Sequence, residues 1–60
     1  MRQFTIEDIR AMLQSVNTDS ITEYSLDNGR SAIDANTGYY GGISFEFNAD
    51  GILIEICNYN

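Results

Sequence analysis

The sequence predicts an α+β fold, with one N-terminal amphipathic helix packed on a four-stranded antiparallel meander sheet in the order α-β-β-β-β. Three observations predict it. Apolar residues recur at helical spacing near the start, from Ile6 to Val16. Two later segments alternate apolar and polar residues around Asn28-Gly29 and around Asn48-Ala49-Asp50-Gly51, as β-hairpins do. Sixty residues without linker or repeat then make a single domain, 1–60.

The helix carries several start signals at once. Thr5 is the expected N-cap, Asp8 the capping-box acid, and Phe4 is placed to staple onto Ile9. Glu7 and Asp8 also sit where the helix dipole favours negative charge. Ile6, Ile9, Met12, Leu13 and Val16 share one stripe, while Glu7, Arg10, Gln14 and Ser15 face away. That stripe is core packing. The helix is expected to end within Asn17 to Ser20, where neither Pro nor Gly marks the stop.

The first hairpin is expected from Ile21 to Asp27 and Arg30 to Asn36, because Asn28-Gly29 suits the positive φ angles of a two-residue type I′ turn. This turn pairs Asp27 with Arg30, Leu26 with Ser31, Tyr24 with Ile33, Glu23 with Asp34 and Thr22 with Ala35. Tyr24, Leu26, Ile33 and Ala35 then share one face, and Glu23, Asp27, Arg30 and Asp34 the other. Asn36-Thr37-Gly38 reads as a second turn leading to Tyr39-Tyr40-Gly41-Gly42, whose glycines suit a bulge, a bend or a close backbone approach.

The last hairpin runs from Ile43 to Tyr59. A two-residue Asp50-Gly51 turn would pair Phe47 with Ile54 and Glu46 with Glu55, whereas a four-residue loop would pair Phe47 with Ile52, Phe45 with Ile54 and Ile43 with Ile56. Both keep Phe beside Ile. A three-residue loop would put Phe45 and Phe47 on the face of Glu55, against the logic of one buried face. In either favoured register Glu46 and Glu55 lie close together on the outer face.

Composition narrows the chemistry. A domain of this size buries only about 60% of its unfolded surface, so it needs help to be stable. Cys57 is the one cysteine and histidine is absent, which excludes an internal disulfide and a zinc ligand set. The absence of His also removes Ser-His and Cys-His catalysis, and the absence of Lys removes Schiff-base and P-loop chemistry. Glu46-x-Asn48-x-Asp50-Gly51 faintly imitates a calcium loop, but Cys57 stands where the bidentate Glu belongs. The chain is therefore expected to be non-catalytic and to need no cofactor.

Nine acids stand against three arginines, for a net charge of −6. Such a charge repels phosphate backbones and anionic membranes, so neither direct nucleic-acid nor membrane binding is expected. No apolar run reaches the roughly 18 residues of a membrane span and no signal peptide precedes the domain, which points to a cytoplasmic protein. Beginning at Met1 and lacking tail or linker, the sequence reads as a complete small gene product.

Two surfaces then stand out. Glu23, Asp27, Asp34, Glu46 and Glu55 would share the outer sheet face, with only Arg30 to offset them. Four strands at about 4.8 Å spacing make a sheet ~19 Å wide, whereas a helix covers a band only about 10 Å across. Part of the apolar face should therefore stay wet, which predicts a homodimer or a partner. As a class, a short acidic α+β chain without catalytic residues resembles the small inhibitors that phages and mobile elements deploy against nucleic-acid-handling host enzymes, including anti-CRISPR and anti-restriction proteins. That resemblance implies a protein inhibitor whose acidic face, with Tyr39 and Tyr40 as anchors, occupies a partner's basic site. The alternative is a homodimeric structural or regulatory module, such as an antitoxin or immunity protein, with an apolar interface.

Overall fold

Thr5 closes the N-terminus of the helix as its sequence predicts: the Asp8 N–H donates to Thr5 Oγ1 at 3.2 Å and the Thr5 N–H to Asp8 Oδ2 at 2.9 Å. The computed structural model describes residues 3–15, 20–36 and 41–59. After helix α1 (Ile6–Gln14) come strands β1 (Ser20–Ser25), β2 (Ser31–Asn36), β3 (Gly42–Phe47) and β4 (Leu53–Tyr59). They form one antiparallel sheet in the order β1-β2-β3-β4. This is the α-β-β-β-β meander expected from the sequence.

The core lies under the helix, at the centre of the sheet. Ile9 and Leu13 of α1 pack on Ile33, Ala35, Phe45 and Phe47, with Ile6 and Leu53 at the margin. Ile33 and Phe47 are fully buried. One helix covers β2 and β3, and both outer strands are left wet: β1 is exposed throughout, and β4 from Ile54 to Asn58. Met12, expected on the core stripe, keeps 44% of its surface. Val16 and the expected helix stop lie outside the described residues, as do Thr37, Gly38, Tyr39 and Tyr40.

The first hairpin corrects the expected register by one residue. Its loop has three residues, the 3₁₀ turn Asp27–Gly29, closed where the Leu26 N–H donates to the Arg30 carbonyl at 2.8 Å. Asn28 and Gly29 do adopt positive φ, 62° and 77°, but Asp27 joins them in the loop. Glu23 consequently faces Ile33, and Asp34 faces Thr22, so Glu23 and Asp34 are not a pair. Tyr24 faces Ala32 and lies on the opposite face from Ile33 and Ala35, with which it was expected to share a side. The physical reason is that β1 buries little, so burial scarcely constrains its register and the turn decides it.

The last hairpin takes both a disfavoured loop and a favoured register. Asn48 pairs with Ile52 around a three-residue tip, and Asn48 Oδ1 accepts from the N–H groups of Asp50 and Ile52 at 2.9 and 3.0 Å. Phe47 then faces Leu53, yet Glu46 faces Glu55 and Phe45 faces Ile56. A bulge at Ile54 absorbs the extra residue. It restores alternation, so Phe45 and Phe47 stay inside and Glu55 stays outside.

Candidate functional site

The strands place Asp34, Glu46 and Glu55 on the outer face, away from the helix. Each carboxylate there meets a donor. The Tyr24 hydroxyl donates to Asp34 Oδ1 at 3.3 Å, Arg30 Nη2 to Glu46 Oε2, and Cys57 Sγ–H to Glu55 Oε2 at 3.0 Å. The Cys57 thiol, though exposed, is held above its ordinary range, chiefly by its hydrogen bond to Glu55, with smaller contributions from local desolvation and from the charges of Glu55 and Glu46. A thiol so placed is protonated at neutral pH and is not an activated nucleophile.

Two of the five expected acids are elsewhere. Glu23 lies on the helix side, where Arg10 Nε and Nη2 donate to its two oxygens at 2.9 and 2.8 Å. The side-chain hydrogen bond from Arg10 is the main cause that holds the Glu23 carboxyl below the usual carboxylate range. Asp27 opens the 3₁₀ turn and is exposed. The outer face therefore gathers three acids, not five, and the expected repulsion between Glu23 and Asp34 is absent. Tyr39 and Tyr40, the expected anchors, fall outside the described residues.

The other surface is apolar. Between α1 and β4, Phe4, Ile9, Met12, Phe45, Leu53 and Ile56 line a groove of about 560 Å³. Phe4 is held there by main chain: the Leu53 N–H donates to the Phe4 carbonyl at 2.8 Å, and the Ile6 N–H to the Gly51 carbonyl at 2.9 Å. Phe4 and Ile56 remain 51% and 56% exposed. Asp8 also lines the groove, with Oδ2 accepting the Thr5 N–H. The helical stripe assigned Met12 to the core, whereas the width of the sheet against that of one helix already signalled that part of the apolar face, where Ile56 lies, would stay uncovered.

Among the described residues, no group of His, Cys, Asp or Glu is gathered as a metal site, and no helix is long and apolar enough to cross a membrane. No family model, curated protein or solved structure matches the chain.

Proposed function

We propose that this chain is a non-catalytic protein-binding module of the homodimeric structural or regulatory kind, such as an antitoxin or immunity protein, whose main interface is the apolar strip between α1 and β4. The observation that carries this reading is the groove itself, which a two-layer fold of this length leaves uncovered along one edge strand. Contiguous apolar surface of this kind is a common mark of an association site. A second copy also supplies the cover that a 60-residue domain cannot build internally.

The test is a mass measurement. Sedimentation equilibrium at tens of micromolar is expected to return a dimer for the native sequence and a monomer for Ile56→Asp, with unchanged far-UV circular dichroism because Ile56 is outside the buried core. A native monomer that binds no apolar dye would remove the proposal.

One observation favours a second reading, a small acidic inhibitor of the counter-defence type that occupies a basic nucleic-acid-binding site on a host enzyme. Glu46 stands directly across from Glu55 on the outer face, with Asp34 on the same side. Arg30 and Cys57 relieve the repulsion at this pair, which is why the apolar strip ranks ahead. A complex made through these acids loosens as salt is raised, and indifference to salt would remove this second reading.

A further inference from the structure

The apolar strip adjoins the outer edge of β4, and the hydrogen-bond alternation of the sheet shows which main-chain groups that edge presents. Leu26 and Arg30 form a hydrogen-bonded rung, and such rungs alternate with non-bonded pairs along an antiparallel ladder. Counting through the register makes Tyr24 with Ala32, Ile33 with Phe45, and Ser44 with Cys57 the bonded pairs of successive ladders. Glu55 and Cys57 therefore direct their N–H and C=O groups to β3. Ile56 and Asn58 direct theirs away from it, along the edge of the last strand in the sheet. Nearer the tip, the edge is already engaged, because Leu53 donates to Phe4.

We infer that β4 pairs antiparallel with β4 of a second copy about a two-fold axis at Cys57, so that Ile56 of each copy bonds Asn58 of the other and two four-stranded sheets become one of eight strands. This deepens the reading above and rests on it. The two-fold axis stands perpendicular to the sheet, so both helices lie on the same side. The two apolar strips then meet edge to edge in a single trough.

Area and charge both favour a second copy as the occupant. The chain exposes 4385 Å², whereas a monomer of its mass is expected to expose about 3,900 Å². In the strip Phe4, Met12 and Ile56 are 51%, 44% and 56% exposed, and the bulge residue Ile54, 51% exposed, lies beside the same edge outside the groove; at roughly 200 Å² for a large side chain, the four offer about 400 Å² per copy. Together with the strand edges, two copies approach the ~1,200 Å² of the smallest stable specific interfaces. The strip offers a partner no cation, and its one acid, Asp8, is committed to the helix cap. An identical strip is thus its natural complement.

The experiment compares Asn58→Pro with Asn58→Ala by sedimentation, and cross-links the native protein through Cys57 with copper and oxygen at mildly alkaline pH. The Asn58 N–H does not serve the β3 ladder, so proline there leaves the protomer's own sheet intact. Asn58→Pro should weaken self-association at least tenfold with unchanged circular dichroism, while Asn58→Ala stays within about twofold. The native dimer should cross-link, and Cys57→Ser should not. A dimer that neither cross-links nor responds to Asn58→Pro overturns edge pairing and leaves the apolar interface standing. A monomer at every concentration overturns both. Should Asn58→Pro fail to fold, the cross-link decides under conditions where the Cys57 thiol is alkylated by a maleimide: a dimer with reactive thiols that does not cross-link overturns an axis at Cys57.

Discussion

Glu23 illustrates how one side chain changes role when its strand slips by a residue. In the expected register it would repel Asp34 across the outer face; in the structure it accepts two hydrogen bonds from Arg10 and ties the edge strand β1 to the helix. Arg10 also reaches Glu7 at 3.6 Å, so the helix brings an acid to this cation as well. Because the Glu23 carboxyl titrates below its ordinary range, its contribution is full above the unfolded value of roughly 4.3 and is lost as pH falls through the lowered folded value. Glu23→Gln should therefore lower the urea midpoint near neutral pH, and the gap from the native protein should shrink as pH falls below the unfolded value and close through the lowered folded one. A gap that is constant with pH would show that the carboxylate's charge contributes nothing.

At the scale of elements, the two turns decide what the strands display. Each tip has three residues, but only the second hairpin corrects itself, through the bulge at Ile54. The difference follows from burial. Phe45 and Phe47 must face the helix, so β4 accommodates the extra residue, whereas β1 has no comparable apolar commitment and simply shifts. The tips also touch, since a Cβ on Gly29 would lie 3.2 Å from the Cβ of Ala49. With φ at +77° as well, Gly29→Ala should cost about 1 kcal/mol or more, read as a lower urea midpoint at unchanged slope. An unchanged midpoint would mean that this hairpin can re-form around a different turn at no cost.

For the whole molecule, the decisive quantity is how little one helix can cover. The protein extends 31 × 24 × 17 Å, two layers with apolar surface left along β4. Its net charge of −6 opposes self-association at long range, while the strip itself is nearly free of charge. Salt therefore separates the two kinds of partner. Raising it from about 50 mM to about 500 mM shortens the screening length from roughly 14 Å to roughly 4 Å. The dimer Kd should fall several-fold, whereas a complex formed through the outer acids should weaken. Dimerisation that weakens with salt would contradict an apolar interface between like-charged copies.

Local chemistry was enough to read the helix start at Thr5, the strand order and the inward place of Phe45 and Phe47, because capping pairs and apolar alternation act over a few residues and agree with one another. The excess of apolar face over one helix was readable from widths alone. What required tertiary structure was the register of β1 and, with it, the membership of the outer face. Asn28-Gly29 is compatible with loops of two or three residues, and an exposed strand carries no apolar pattern strong enough to choose between them. The three-residue turn sets the register, and the slipped strand brings Glu23 to Arg10, thirteen residues away, a contact that no local pattern contains. The same holds for the apolar strip: composition can say that some of these residues must remain uncovered, but only the seat of the helix over β2 and β3 decides that they are Phe4, Met12 and Ile56 beside the edge of β4.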